Sequence, residues 1–273
     1  MFVANESSPA VTASYNRDGN ISNNCALSSF SAFGMAPGHN SPIEANVNMH
    51  PAGYISFPVR PSAAASSSFS TPSRDVGPSV RRRAVAIQAD SADAAAVQTS
   101  VETTVAELGG LDILVNNVGI LRLSTVKDIS LEDINALLDI NVRAPIVASK
   151  AAIPHLGKGG RIINIGSFFA DKVPGGTGLP VYALTKSALT AFSQGLAREL
   201  GPRDITVNVL QPGSIDTDMN PAHGPFGEIL RSITALGRYG TVEDIANIVA
   251  FLASSKAQYI TGAALTVDGG ANA

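Results

Sequence analysis

Tryptophan is absent from the 273 residues, cysteine occurs once, and charged residues make up only 15% of the chain. A single thiol, Cys25, excludes an intramolecular disulfide. The four histidines, His39, His50, His155 and His223, are scattered without the spacing of metal ligands, so no structural zinc site is expected. No apolar run approaches the roughly 18 residues that a bilayer span requires. The start, MFVANESSPA, lacks the basic segment followed by an apolar one that directs secretion. A soluble cytoplasmic protein with no membrane partner is therefore expected. The net charge of -3 argues against a general nucleic-acid binder, and the only basic cluster, Arg81, Arg82 and Arg83, is too short to reverse that.

What is present divides into two unlike parts. Residues 1–80 are rich in Ser, Asn, Ala and Pro and contain no lysine. They show neither helical nor strand periodicity over any useful window, and a stretch that buries little apolar surface does not offset its ordering entropy. This segment is expected to be low in complexity and disordered. Its best strand candidate is GYISFPV (53–59), which Pro58 demotes to an edge or a loop. A Ser-rich leader also has the look of an organellar transit peptide, although its length and the acidic Glu6, Asp18, Glu44 and Asp75 count against that alternative.

From Ala84 the pattern changes to alternating strands and helices, which assigns 81–273 to one domain. AVAIQAD (84–90), LDILVNN (111–117), RIINIGS (161–167), ITVNVLQPG (205–213) and AALTVDGG (263–270) read as strands. Between the first two, Val97, Val101, Val105 and Leu108 fall on one helical face. Ser130-Leu-Glu-Asp133 and Thr241-Val-Glu-Asp244 have the form of capping boxes, the first opening a long helix through Leu137, Leu138 and Ala151. Strands separated by helices need crossover connections, so the expected fold is α/β, a doubly wound parallel sheet of Rossmann-like form. In such sheets ligands bind beyond the carboxyl ends of the strands, where Asn116, Ser167 and Pro212 would sit.

Tyr182 and Lys186 lie four positions apart on a predicted helix, and i,i+4 neighbours share a face. A phenol becomes a usable proton donor where a nearby cation stabilises the phenolate. Ser167, at a strand end, could hydrogen-bond a carbonyl oxygen while Tyr182 protonates it, although a serine there is ordinarily a turn residue. Asn141 interrupts the apolar helix LLDINVRAPIV, and on its own it reads most simply as an exposed polar position.

The order of these features along the chain resembles the short-chain dehydrogenase/reductase family. The resemblance runs through NNVG (116–119), Asn141, Ser167, Tyr182-x-x-x-Lys186, PGSIDTDM (212–219), LGRYGTVEDIA (236–246) and ITGAALTVDGG (260–270). It implies an oxidoreductase that transfers hydride between NAD(P)H and a carbonyl or alcohol. By resemblance Tyr182 is the acid/base, Ser167 orients the substrate, Lys186 lowers the tyrosine pKa and holds the cofactor ribose, and Asn141 anchors a water in a proton relay. Asp90 matches the residue at the adenine ring, and Asn116 and Gly119 match the turn along the adenosine side. Pro212, Gly213, Ile215 and Thr217 match the loop at the nicotinamide. Within the family the pattern is most similar to 3-oxoacyl-(acyl-carrier-protein) reductases. Homo-oligomers, tetramers or dimers through the helices bearing Asn141 and Tyr182, are implied.

One family motif is missing. T-G-x-x-x-G-x-G, whose glycines let the backbone approach the cofactor pyrophosphate at a helix N-terminus, does not occur in residues 1–83. The nearest run, Gly34 to Gly38, has the wrong spacing and an internal proline. The first βαβ unit thus reads as truncated, which predicts an exposed apolar edge on LDILVNN and leaves AVAIQAD without its neighbour. The choice between NAD and NADP is unreadable without that unit. Two functions follow: a working NAD(P)-dependent oxidoreductase, or an impaired family member acting at most as an oligomerisation partner. The lid region, about 214–235, carries apolar residues such as Phe226 and Ile229, which hint at a modestly hydrophobic substrate.

Overall fold

The computed structural model describes residues 84–173, 178–224 and 226–273, together with the backbone of six short strands upstream. Those are β1 (Phe2–Ala4), β2 (Val11–Tyr15), β3 (Ser31–Gly34), β4 (Ile43–Asn46), β5 (Asn48–Met49) and β6 (Ile55–Ser56). The expected disorder of 1–80 otherwise falls outside the described residues, as do Cys25 and the arginine triplet. Of GYISFPV, only the two residues of β6 are described.

Downstream the alternation is as predicted. β7 (Ala84–Gln88) is followed by α1 (Ala94–Leu108), β8 (Ile113–Asn116), α2 (Leu131–Leu138) and α3 (Ala144–Ala152). Then come β9 (Arg161–Ile165), α4 (Pro180–Leu200), β10 (Thr206–Pro212), α5 (Gly227–Ile233), α6 (Val242–Ala253) and β11 (Ala264–Val267). β8, β9, β10 and β11 run parallel in that order. The helices between them leave no other choice, since a parallel pair needs a crossover.

Side chains alternate across the sheet and so feed two cores. On one face Leu114, Ile162 and Val207 pack with Val97 and Val101 of α1, Ala148 and Ala152 of α3, and Leu196 and Leu200 of α4. On the other, Val115, Ile163, Ile165 and Leu210 pack with Ile245 and Leu252 of α6. Every residue of β9 is buried, as expected of a strand covered on both faces.

The expected bare edge on β8 is not found. The seven-stranded sheet has the order β11-β10-β9-β8-β1-β2-β7, so β1 pairs with β8, and β7 gains β2 as its neighbour. The replacement differs in direction. β1 is antiparallel to both β8 and β2, while β2 is parallel to β7. Only residues 5–10 separate β1 from β2, too few for a crossover helix, so these two strands form a hairpin rather than a βαβ unit.

The capping signals are resolved in detail. Thr241 and Asp244 form the complete box, with side chain to backbone bonds in both directions. Ser130 makes only half of one. Its hydroxyl accepts from the Asp133 amide (3.0 Å), but the Asp133 carboxylate turns to the Ser130 hydroxyl and to Arg122 (2.9 Å) instead of the Ser130 amide.

Candidate active site

Ser167 lies two residues beyond Ile165, which pairs with Leu210, and Pro212 lies two residues beyond Leu210. Asn116 pairs with Asn164 on the other side of β9. The three strand ends therefore meet at one edge of the sheet, the arrangement that parallel strands in register impose. Ser167 takes an extended conformation and starts a single 3-10 turn, Phe168–Ala170, and its Oγ accepts from the Phe169 amide (3.3 Å).

Tyr182 and Lys186 enter from the first two turns of α4, where Pro180 occupies the opening position that its missing N–H suits. Tyr182, Lys186 and Ser167 are all buried. The Tyr182 phenol lies within reach of the Ser167 side chain, and Phe169 meets the phenol ring edge-on at 6.3 Å. The Lys186 ammonium stands 5.9 Å from the phenol ring centroid and donates to the Ile165 carbonyl (3.0 Å). Burial pushes the Tyr182 phenol up to about 12, with the Ser167 side chain acting the other way. Burial also pushes Lys186 down to about 8. The lowered phenol anticipated from a neighbouring ammonium is thus not seen, because removal from water outweighs attraction at this separation.

Asn141 is fully buried, contrary to the exposed position its isolated reading favours. The long helix predicted from Ser130 widens at this point into a π-turn, Asp139–Arg143, joining α2 to α3. Such a turn inserts one extra residue and re-aims its side chains, and π-turns recur at functional sites. The Asn141 Oδ1 accepts from the Ile120 amide (2.8 Å), and its Nδ2 donates to the Ile120 carbonyl (2.9 Å) and to Thr185 Oγ1 (3.1 Å). Thr185, also fully buried, donates a hydrogen bond from its hydroxyl to the Tyr182 carbonyl (2.7 Å). Asn141 therefore ties the segment after NNVG to the helix of the tyrosine.

Gly119 sits where a side chain would be crowded. A Cβ there would lie 3.0 Å from Lys186 Nζ and 3.3 Å from Asn141 Oδ1. Gly213 is more tightly confined, since a Cβ would lie 2.5 Å from the Asp268 Cα, and its amide donates to the Val267 carbonyl (2.9 Å). Ile215 bridges to Gly240 and Thr217 to Asn220, so the loop after Pro212 is pinned along its length. Asp90 accepts from the Ala92 amide (2.8 Å) at the turn after β7. A cleft beside that turn is lined by Ser91, Asn117, Val118 and Ile140.

The Asn116 side chain turns inward, away from the strand-end edge of the sheet. It is buried and donates to Asn164 Oδ1 (2.8 Å) and Ser149 Oγ (3.3 Å), while Asn164 donates to Ser193 (2.8 Å). This internal chain of amides and hydroxyls was not anticipated, although an asparagine inside the apolar run RIINI was a signal for it. Among the described residues no cluster of three or more His, Cys, Asp or Glu side chains could hold a metal ion, and no helix is long and apolar enough to cross a membrane.

These residues fit a nicotinamide cofactor in part. A lysine ammonium has three N–H groups, and only one of Lys186 is engaged by Ile165, leaving two directed donors for a vicinal diol.

The sequence family described as Enoyl-(Acyl carrier protein) reductase matches residues 69–272. The cyclic-di-GMP-binding biofilm dispersal mediator protein of Escherichia coli K12 is 45% identical over 68% of this chain and 76% of its own length. The 3-oxoacyl-(acyl-carrier-protein) reductase FabG of the same organism is 43% identical, over 65% and 73% respectively. A short-chain dehydrogenase from Burkholderia cenocepacia solved with NADP is 54% identical, superposes with a TM-score of 0.69, and is matched over 70% of this chain and 78% of that one. A parallel sheet with a buried Tyr-Lys pair at its carboxyl edge and relatives this similar leave one classification. The chain belongs to the short-chain dehydrogenase/reductase family of NAD(P)-dependent oxidoreductases.

Proposed function

We propose that the chain reduces a carbonyl, or oxidises the corresponding alcohol, with Tyr182 as proton donor and acceptor. The observation that carries this reading is the burial of Ser167, Tyr182 and Lys186 together at the carboxyl ends of the strands, with Lys186 one helical turn from Tyr182. NAD(P)H, when bound, supplies the hydride. Ser167 holds the substrate oxygen, and Tyr182 gives its phenolic proton to that oxygen as negative charge develops. Lys186 holds the ribose with its free N–H groups. Titrating near neutrality, it also returns a proton to the phenolate.

Asn141 has both amide hydrogens engaged. Its part in a relay is therefore to fix the Ile120 carbonyl, whose second lone pair is available to a water. Gly119, Asp90 and the backbone of Asn116 line the adenosine side, and Pro212, Gly213, Ile215 and Thr217 the nicotinamide side. Phe226 and Ile229, both more than half exposed, favour a substrate with an apolar portion. The identity to FabG supports a 3-oxoacyl-type carbonyl within that class. Ile146 and Leu184, exposed on α3 and α4, support assembly into a dimer or tetramer through those helices.

A second reading is favoured by a different observation. β1 runs antiparallel and ends at Ala4, beside Ile113 at the start of β8, so its far end points away from the edge that holds Asn116 and Ser167. With no glycine-rich motif in residues 1–83, the pyrophosphate lacks its usual cradle, and the chain is then an impaired member retaining the Tyr-Lys machinery. Fluorescence titration with NADPH and then NADH separates the two, because saturable micromolar binding supports the working enzyme and its absence in folded protein supports the impaired one. Tyr182→Phe is expected to cut carbonyl reduction by about 10²–10⁴-fold without unfolding the chain. Equal activity in that variant would sink the mechanism.

A further inference from the structure

The Ser167–Tyr182 pair depends on a turn that Ser167 caps and that residues distant in sequence also tie down. Phe168–Ala170 is one turn of 3-10 helix, a form stable only in short pieces and weakly bonded within itself. It sets the Ser167 hydroxyl through the Phe169 amide and the Tyr182 ring through the Phe169 side chain. Its outward bonds come from elsewhere in the chain. Ser187 of α4 donates to the Ala170 carbonyl (2.7 Å). From the far end of the sequence, Asn272 Nδ2 donates to the Phe168 carbonyl (2.8 Å), the residue adjacent to Ser167. Lys172 Nζ bonds the Asn272 carbonyl, a second tie between the same two segments.

Asn272 is itself held with care. The Asp268 carboxylate accepts from the Asn272 amide (2.9 Å) through one oxygen and from the Gly270 amide (2.9 Å) through the other. Gly269 and Gly270 have φ of 63° and 82°, the left-handed region that glycine alone enters without strain. A Cβ on Gly269 would lie 2.7 Å from Thr234 Cγ2, and one on Gly270 2.7 Å from Ala235 Cβ. Leu236 donates to the Gly269 carbonyl (3.0 Å), and Gly213 packs on Asp268. The segment Asp268–Asn272 therefore touches all three loops around the site: the turn after Ser167, the loop after Pro212, and the end of the lid. The Asn272 Oδ1 is buried with no partner among the described residues, so the placement of this amide is not explained by satisfying its own polar atoms.

We infer that Asn272 is a positioning residue for the proton-transfer pair, fixing Ser167 and Tyr182 through the Phe168 carbonyl, and that Asp268–Asn272 is the clasp that joins the three loops. The inference rests on the reading above of Ser167 and Tyr182. Loss of the Asn272 donor frees the 3-10 turn, lets the Ser167 hydroxyl drift from the phenol, and leaves the cofactor contacts of Lys186 in place. A small misplacement of reacting groups is enough to cost on the order of tenfold or more in turnover.

The test compares the wild-type chain with Asn272→Ala and with the isosteric Asn272→Asp, which keeps the shape but places an acceptor against the Phe168 carbonyl. The first measurement is fluorine NMR of fluorotyrosine-labelled protein, with the Tyr182 resonance assigned from Tyr182→Phe. Both substitutions are expected to shift the Tyr182 resonance while the other tyrosines stay put, whether or not the chain turns over any substrate. The second is steady-state carbonyl reduction, where kcat is expected to fall about tenfold in both variants with NADPH affinity unchanged. An unmoved Tyr182 resonance in folded Asn272→Ala and Asn272→Asp would overturn the inference. Inactivity of the wild-type chain would instead count against the proposed function and leave the NMR comparison to decide this one.

Discussion

Replacing Lys186 by Met should remove the function and alter stability in a pH-dependent way, most favourably to the variant near neutral pH and less so as the pH rises. Burial lowers the ammonium pKa from 10.5 to about 8, so the unfolded chain holds the Lys186 proton more tightly than the folded one. Between those two values the unfolded state carries more bound protons, and native stability rises with pH. At about pH 7 the buried charge costs about 3 kcal/mol, and at about pH 9.5 roughly 1 kcal/mol remains. Methionine carries no charge and nearly the same length. It does leave the Ile165 carbonyl without its donor, a loss of about 1–3 kcal/mol, but that loss is independent of pH and cancels between the two conditions. Tyr182, pushed up to about 12, stays protonated in the folded state throughout this window. Urea unfolding of both proteins at equal concentration, at about pH 7 and about pH 9.5, should therefore show the stability difference moving by about 2 kcal/mol in favour of the wild type. A difference that stays constant across the two conditions would refute the claim that Lys186 is buried as a costly charge.

Two further outcomes are expected. Asn141→Ala leaves the buried Ile120 amide and carbonyl and the Thr185 hydroxyl short of a partner, so denaturant unfolding should report a loss of about 2–4 kcal/mol. Thr241→Ala opens the capping box of α6 and should cost about 1 kcal/mol by the same assay. The Asp244 carboxyl is held below its usual range by the Thr241 backbone amide and then by Arg238, so its contribution is present at neutral pH and is lost on acidification through its lowered pKa. Thr241→Ala keeps that backbone amide and Arg238, so both proteins should lose this contribution in acid and the gap between them should stay nearly constant.

The parallel layout was legible because it rests on local pattern. The valines at 97, 101 and 105 with Leu108, the β-branched runs of β9 and β10, and the turn residues between them all point to one architecture. What stayed hidden depends on contacts distant in sequence. Whether Asn141 faces solvent or core is decided by a π-turn and by Ile120, some twenty positions away, and no window of helical periodicity contains either. The inward turn of Asn116 depends likewise on Asn164 and Ser193. Phe2–Ala4 and Val11–Tyr15 were missed as strands because three to five residues are too short for alternation to register, and only pairing with β8 and β7 gives them a place. The Tyr-Lys spacing places the two side chains on one face, but spacing carries no information on burial, and burial is the largest influence on both pKa values.

That last point bears on how the pair would work. Burial moves both groups toward their neutral forms, so the phenol keeps its proton more firmly than in water while the ammonium gives its own up more readily. Proton loss from Tyr182 to solvent or to Lys186 is accordingly unfavourable in the resting site. An acceptor far more basic than an amine is needed to draw the proton away, and the oxygen of a carbonyl receiving a hydride becomes such an acceptor only as the reaction proceeds. The phenolate left behind is then the strongest base nearby, with Lys186 the closest group able to return a proton. A tyrosine that is a poor acid at rest is thus suited to the task, since its proton moves only when substrate charge develops beside it.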